Sequence, residues 1–151
     1  GVFAVSVDKT YGGSTTDGGH DDGYGGLLER SVMNTLAEAA SLWLDAQIAK
    51  DVPQGEGWRL IKPAAGYASC PDHTLKRDIL RLLPCPEKLG ITLTDSCAMS
   101  PEASICGLMI IHKDATYPDI RRISRRQIDD YAARRGMTAE EARRFLGHLL
   151  E

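Results

Sequence analysis

LGITLTDSCAMSPEASICGLMIIHKDATY, Leu89 to Tyr117, carries two different strand signals in close succession. Ile91-Thr92-Leu93-Thr94 alternates apolar and polar residues, the pattern of a half-buried strand. Ile105-Cys106-Gly107-Leu108-Met109-Ile110-Ile111 is a continuous apolar run and predicts a central strand. The loop Asp95 to Glu102 separates them. After the turn His112 to Thr116, Tyr117 to Ile123 is expected to form a third strand, antiparallel to the second, with Pro118 confining it to an edge. Far upstream, Val2, Ala4 and Val5 around Phe3 predict one more short buried strand.

Around these strands the pattern is helical. From about Leu27 to Lys50, Leu28, Val32, Leu36, Ala40 and Trp43 or Leu44 recur every three to four residues, predicting a helix that buries this stripe. Its opposite face then carries Glu29, Arg30, Asn34 and Asp45, Glu38 borders the stripe, and Pro53 and Gly55 lie just past its end. Thr74 to Leu83 has helical spacing, with Asp72 or Thr74 as N-cap and Pro84 as its end, and Pro86 to Gly90 adds one turn closed by glycine. Arg59 to His73 reads as an ordered loop with extended pieces, restricted by Pro63, Gly66 and Pro71. Ser124 caps a helix through about Arg135, Gly136 closes it, and Thr138 to Glu141 forms a capping box for a last helix. Seven of the 15 glycines fall in YGGSTTDGGHDDGYGG, residues 11–26, which reads as a loop. Helices flanking a mostly antiparallel sheet define an α+β fold, expected as a single domain over residues 1–151 with a C-terminal helical hairpin.

Composition narrows the function. A chain that is 42% hydrophobic with a net charge of -3 is expected to bury a core rather than stay disordered. The longest apolar run is far short of the roughly 18 residues of a membrane span, and Gly1 to Val5 lacks a basic leader, so a cytoplasmic protein without membrane partners is expected. Cys70, Cys85, Cys97 and Cys106 form no CxxC pair, and reduced thiols follow. Cys70 and His73 have the spacing of half a zinc site but lack two further ligands, so no metal is expected. Eight arginines between Arg121 and Phe145 face four acids in a segment like a helix-turn-helix, yet the second helix opens with Glu140 and Glu141, which would meet phosphate, and nucleic acid is not an expected partner. Cys70 near His73, Asp21 and Asp22 beside His20, and Ser69 are nucleophile or acid-base candidates that assemble no catalytic constellation.

Taken in order, GYASCPDHTLKRDILRLL from Gly66, the Leu89 to Tyr117 stretch, and IDDYAARRGMTAEEARRFL from Ile128 resemble the activation domain of cobalamin-dependent methionine synthase, in its C-terminal part. Leu36-Ala37-Glu38-Ala39 is similar to that family's LAEA helix, and His20-Asp21-Asp22 to its HDDY. The resemblance implies a reactivation module that binds S-adenosylmethionine and supports reductive methylation of oxidised cobalamin. Its implied partners are a cobalamin-binding domain or corrinoid protein and flavodoxin or a similar reductase. The cofactor carries the chemistry, and the module positions it.

Carried over residue by residue, the resemblance places Glu38, Lys62, Ala64, Gly66, Tyr67 and Tyr117 on S-adenosylmethionine, and Ala98, Met99, Ser100 and Pro101 toward the cobalamin. A glycine permits close backbone approach, and an aromatic ring suits adenine and a sulfonium. Three positions depart from the family: Lys62 stands for an arginine, Asn34 for an acid and Pro118 for a second tyrosine. The family domain is also longer, and its N-terminal portion supplies another ligand-contacting acid. These departures leave an alternative, a docking module that binds a corrinoid protein or a reductase without the nucleotide.

Overall fold

The computed structural model describes residues 1–7, 23–51 and 57–151. In chain order the elements are β1 (Val2–Ser6), α1 (Tyr24–Asp51), β2 (Arg59–Ile61), α2 (Leu75–Leu82), α3 (Cys85–Leu89), β3 (Thr92–Leu93), β4 (Met99–Ser100), β5 (Ser104–Leu108), β6 (Ile110–His112), α4 (Arg125–Arg135) and α5 (Ala139–Leu146). The fold is α+β. His20, Asp21 and Asp22, and the Gly-rich segment up to Asp22, lie outside the described residues. The loop expected to run to Gly26 ends earlier, because Tyr24, Gly25 and Gly26 already belong to the first turn of α1.

The apolar run from Ile105 is central, as its composition demands. One edge of β5 pairs antiparallel with β1, from Val2↔Leu108 to Ser6↔Ser104. Its other edge receives the chain that follows β2. That register is unbroken, running from Arg59↔His112 through Ile61↔Ile110 to the bridge Ala64↔Gly107. Gly107 makes this approach possible, since a Cβ there would lie 2.4 Å from the Pro63 carbonyl oxygen and 2.7 Å from Ala64 Cα. Alternation along β1 and β5 then sends residues to both faces. Phe3 and Ile105 pack with Ala37 of α1, while Cys106 packs with Ile79 and Leu80 of α2, Cys85 and Ile91. A strand covered on both faces needs apolar residues at successive positions, which accounts for Ile105 to Gly107; the expected strand to Ile111 divides at Met109 into β5 and β6, where Ile110 is exposed.

Two expectations are corrected. Tyr117 to Ile123 is not a strand; the partner of β6 is β2, and Ile123 makes only a single bridge, to Leu150. Pro118 lacks a backbone donor, and residues 116–119 are exposed, so nothing holds this segment in a ladder. The second correction concerns α1. Most of the predicted stripe faces outward, with Leu28 53%, Val32 50%, Leu36 48% and Trp43 64% exposed, while Ala37 and Ser41 are the buried positions and Leu44, the alternative to Trp43, packs partly buried beside Ala37. Small residues win this face because they let the helix axis lie close to β1 and β5, where Phe3 and Ile105 supply the bulk.

The C-terminal hairpin forms as expected. Ser124 and Gln127 make a reciprocal capping box, Gly136 closes α4 at φ +65°, and Thr138 Oγ1 accepts from Glu141 N at 3.1 Å. The Glu141 side chain does not complete a second box; it bonds Arg77 instead. Ile128, Ala132, Ala142 and Leu146 bury the inner faces of the pair.

Candidate functional site

The extended chain laid against β5 by Gly107 brings Lys62, Ala64 and Tyr67 beneath α1. Glu38, Ser41, Leu42 and Asp45 fall at helical spacing, i, i+3, i+4 and i+7, and therefore share one face of that helix. Between the helix and the loop is a cavity of about 230 Å3 lined by Glu38, Ser41, Asp45, Lys62, Ala64, Tyr67 and Tyr117, with Phe3 and Ile105. Five of the six residues assigned by resemblance to S-adenosylmethionine meet here. The sixth, Gly66, lines the adjoining cavity, which also touches Tyr67. Its φ is +98°, and a Cβ would strike the His73 ring at 2.5 Å, so both conformation and space require glycine.

Tyr67 joins the two elements. Its hydroxyl donates to Glu38 Oε1 at 3.3 Å, and burial together with the Glu38 charge raises its pKa, keeping it a protonated donor. Tyr117 is held from the other side, its hydroxyl accepting from the Lys62 backbone N–H at 2.8 Å. That bond is why the segment after β6 leaves the sheet yet returns to the cavity. The rings of Tyr67 and Tyr117 are about half exposed. A carboxylate and two aromatic rings around an apolar floor suit a group that is both aromatic and cationic.

Lys62, which the resemblance places on S-adenosylmethionine, is already paired within the chain. Its side chain is 7% exposed and pairs with Asp45 Oδ1 at 2.5 Å. Nζ also donates to Ser41, at 2.7 Å to Oγ, and lies 4.8 Å above the Phe3 ring. Asp45 and Ser41 are the site residues that sequence reasoning missed. The helical pattern places Asp45 on the face opposite the apolar stripe, although its spacing from Glu38 is the signal that brings both to one cavity.

The loop assigned to the cobalamin forms a small hairpin, β3 with β4, pairing Thr92↔Ser100 and Leu93↔Met99. Thr94 closes it, its hydroxyl accepting from Ala98 N at 3.1 Å and its own N–H donating to Ala98 O at 2.9 Å. Cys97 adopts φ +61° inside this turn, and the Ser100–Pro101 peptide is cis. Ala98 and Ser100 are exposed at the surface. Ala98 and Met99 line the second cavity together with Gly66 and Tyr67, so the two groups of residues meet there. Cys70 and His73 gather no further ligands; among the described residues no three His, Cys, Asp or Glu side chains are grouped as a metal site. All four cysteines are free and buried, and no helix among the described residues is long and apolar enough to cross a membrane.

The fold and cavity define an α+β module whose pocket combines an acid with aromatic rings. The family model described as vitamin B12 dependent methionine synthase, activation domain, matches residues 1–136, and the chain belongs to that family. It is also similar to a solved structure of the MetH reactivation domain bound to AdoHcy, at 35% identity and a TM-score of 0.76, over 87% of this chain and 44% of that one. The chain thus spans less than half the length of that relative.

Proposed function

We propose that the chain is a reactivation module that binds S-adenosylmethionine in the cavity between α1 and the Lys62–Tyr67 loop. The observation that carries this reading is the convergence of Glu38, Ala64, Tyr67 and Tyr117, from separate parts of the sequence, on one cavity. The AdoHcy bound to the similar MetH reactivation domain supports it. When bound, the sulfonium nucleotide supplies a methyl group for a cobalamin carried by a partner domain or corrinoid protein. The residues here bind and orient. Glu38 meets positive charge, Tyr67 and Tyr117 offer ring faces, and Ala64 leaves room for close approach. The Ala98 to Pro101 hairpin forms the face toward the cobalamin, and flavodoxin or a similar reductase supplies the electron. Residues 1–151 act in this reading as one cytoplasmic domain, with no nucleic acid or membrane partner.

A second reading, docking to the corrinoid partner or reductase without nucleotide, draws support from Lys62, whose charge is already met by Asp45. Calorimetric titration separates the two. Saturable binding of S-adenosylmethionine, tighter than S-adenosylhomocysteine, is expected. Glu38→Ala and Tyr67→Ala should each weaken it by about tenfold, or roughly 1.4 kcal/mol. Unchanged affinity in both variants rejects this cavity as the site. If Lys62 must leave Asp45 to meet the ligand's carboxylate, Asp45→Asn should tighten binding by about 1 kcal/mol. An unchanged constant would place that carboxylate elsewhere.

A further inference from the structure

The adjoining cavity, of about 310 Å3, is walled in part by Gly66, His73, Lys76, Met99, Glu102 and Ser104. Lys76 is only 6% exposed, yet its charge has no carboxylate within ion-pairing distance among the described residues. Its Nζ donates to the Cys97 carbonyl at 3.2 Å and meets His73 Nδ1 at 3.1 Å. An ammonium can only donate, so Nδ1 is the acceptor and the imidazole proton sits on Nε2. Two acceptors serve three N–H groups, and both are neutral. The two buried lysines therefore differ: Lys62 is matched by Asp45, whereas Lys76 is not. A buried cation without a counter-charge is costly, and burial lowers the Lys76 pKa accordingly.

We propose that this cavity is an oxyanion site, taking a carboxylate or phosphate group, with Lys76 supplying the charge and His73 Nε2–H a second donor. The size suits a small ligand or one end of a larger one. Glu102 is the cavity's one carboxylate and is exposed, so it opposes an incoming anion without meeting Lys76 directly. The site adjoins the nucleotide cavity: Gly66 and Tyr67 line it, and the shared wall of Tyr67 and Ile105 would let one ligand reach both, although the charge argument for Lys76 does not rest on the nucleotide reading.

The test is titration of inorganic phosphate, and separately acetate, into the chain at constant ionic strength, read by calorimetry and by the ring resonances of His73. Saturable binding is expected, reduced at least tenfold in Lys76→Gln and tightened several-fold in Glu102→Gln. The second variant changes an exposed side chain and reads the site even if the first fails to fold. Competition between phosphate and S-adenosylhomocysteine, but not 5′-methylthioadenosine, would assign the site to the nucleotide's own carboxylate; independent binding would assign it to a separate anion. Absence of saturable binding of either anion, in both wild type and Glu102→Gln, overturns the proposal. Binding of 5′-methylthioadenosine, which carries no carboxylate, would show that the nucleotide cavity stands regardless.

Discussion

Gly107 shows how one missing side chain places a ligand loop. The sequence marks it only as a glycine within an apolar run, whereas in the fold it is where the Pro63-Ala64 backbone crosses β5. Gly107→Ala must push that backbone away, and overpacking of this kind costs about 1–3 kcal/mol. Urea denaturation should show such a loss together with weaker nucleotide binding, because Ala64 moves with the loop. Stability lost without any effect on binding would mean that the loop's position does not set the site. His73 offers a second reading at this scale. Burial first, then the Lys76 charge, lowers its pKa below 6.5. A histidine that resists protonation when folded contributes stability fully present above the unfolded value of 6.5, and that stability is lost as pH falls through the folded value. Thermal scans should therefore show the melting temperature dropping as pH falls below about 6.5, with that slope reduced in His73→Gln. An identical slope in both proteins would assign the pH dependence to other groups. The Gly107 contact could not be read from the sequence, since Pro63 and Ala64 come from a distant segment; Lys76 is only three residues from His73, but the burial that leads the shift comes with the fold.

Elements were legible where signal and packing agree, and misread where they diverge. The caps at Ser124, Gly136 and Thr138 are local chemistry, so their sequence reading survives folding. Ser124→Ala should cost about 1 kcal/mol through loss of the N-cap bond. The existence of α1 was equally clear from its periodicity, but its orientation was not. Periodicity reports that a helix has faces; it does not say which face meets a sheet already rich in bulk. Leu28, Val32, Leu36 and Trp43 outweigh Ala37 and Ser41 in any hydrophobic count, yet the small pair is buried. A paired substitution tests this assignment. Leu36→Gln should change stability by no more than about 0.5 kcal/mol, as for an exposed site. Ala37→Leu should destabilise by about 1–3 kcal/mol, because Ala37 is 1% exposed against the Phe3 and Ile105 cluster. The reverse ranking would restore the stripe suggested by the sequence. The third strand failed for a related reason: the Tyr117 hydroxyl accepts from the Lys62 backbone N–H, a long-range bond that no alternation pattern encodes.

At the scale of the whole molecule, the C-terminal hairpin is fixed to the loop behind the candidate site through one buried acid. Asp72 is 4% exposed and accepts from Thr74 N at 2.8 Å, Thr74 Oγ1 at 2.7 Å and Tyr131 Oη at 2.6 Å. Sequence reasoning offered Asp72 or Thr74 as a helix cap; in the fold Thr74 makes no side-chain cap bond, whereas Asp72 accepts the Thr74 N–H at the helix start and also joins this buried cluster. Around it, Arg135 of the tail pairs with Asp78 at 2.7 Å and Arg77 of α2 pairs with the tail's Glu141 at 2.8 Å, so ion pairs of both polarities tie the hairpin to α2. Resemblance could name the residues of the cavity, but the charge partners, Lys62 with Asp45 and Asp72 with Tyr131, join separate elements and became visible only with the fold. The two kinds of contact predict different outcomes on removal. Arg77→Ala breaks an exposed ion pair and should cost less than about 1 kcal/mol. Tyr131→Phe leaves a buried carboxylate short of a donor and should cost about 1–3 kcal/mol despite losing a single oxygen. Its effect should also spread: hydrogen exchange should accelerate both in residues 125–146 and in the loop 66–73, because Asp72 holds the two together. Acceleration confined to the hairpin would mean that the loop is fixed by β5 alone, and the site would then be independent of the tail.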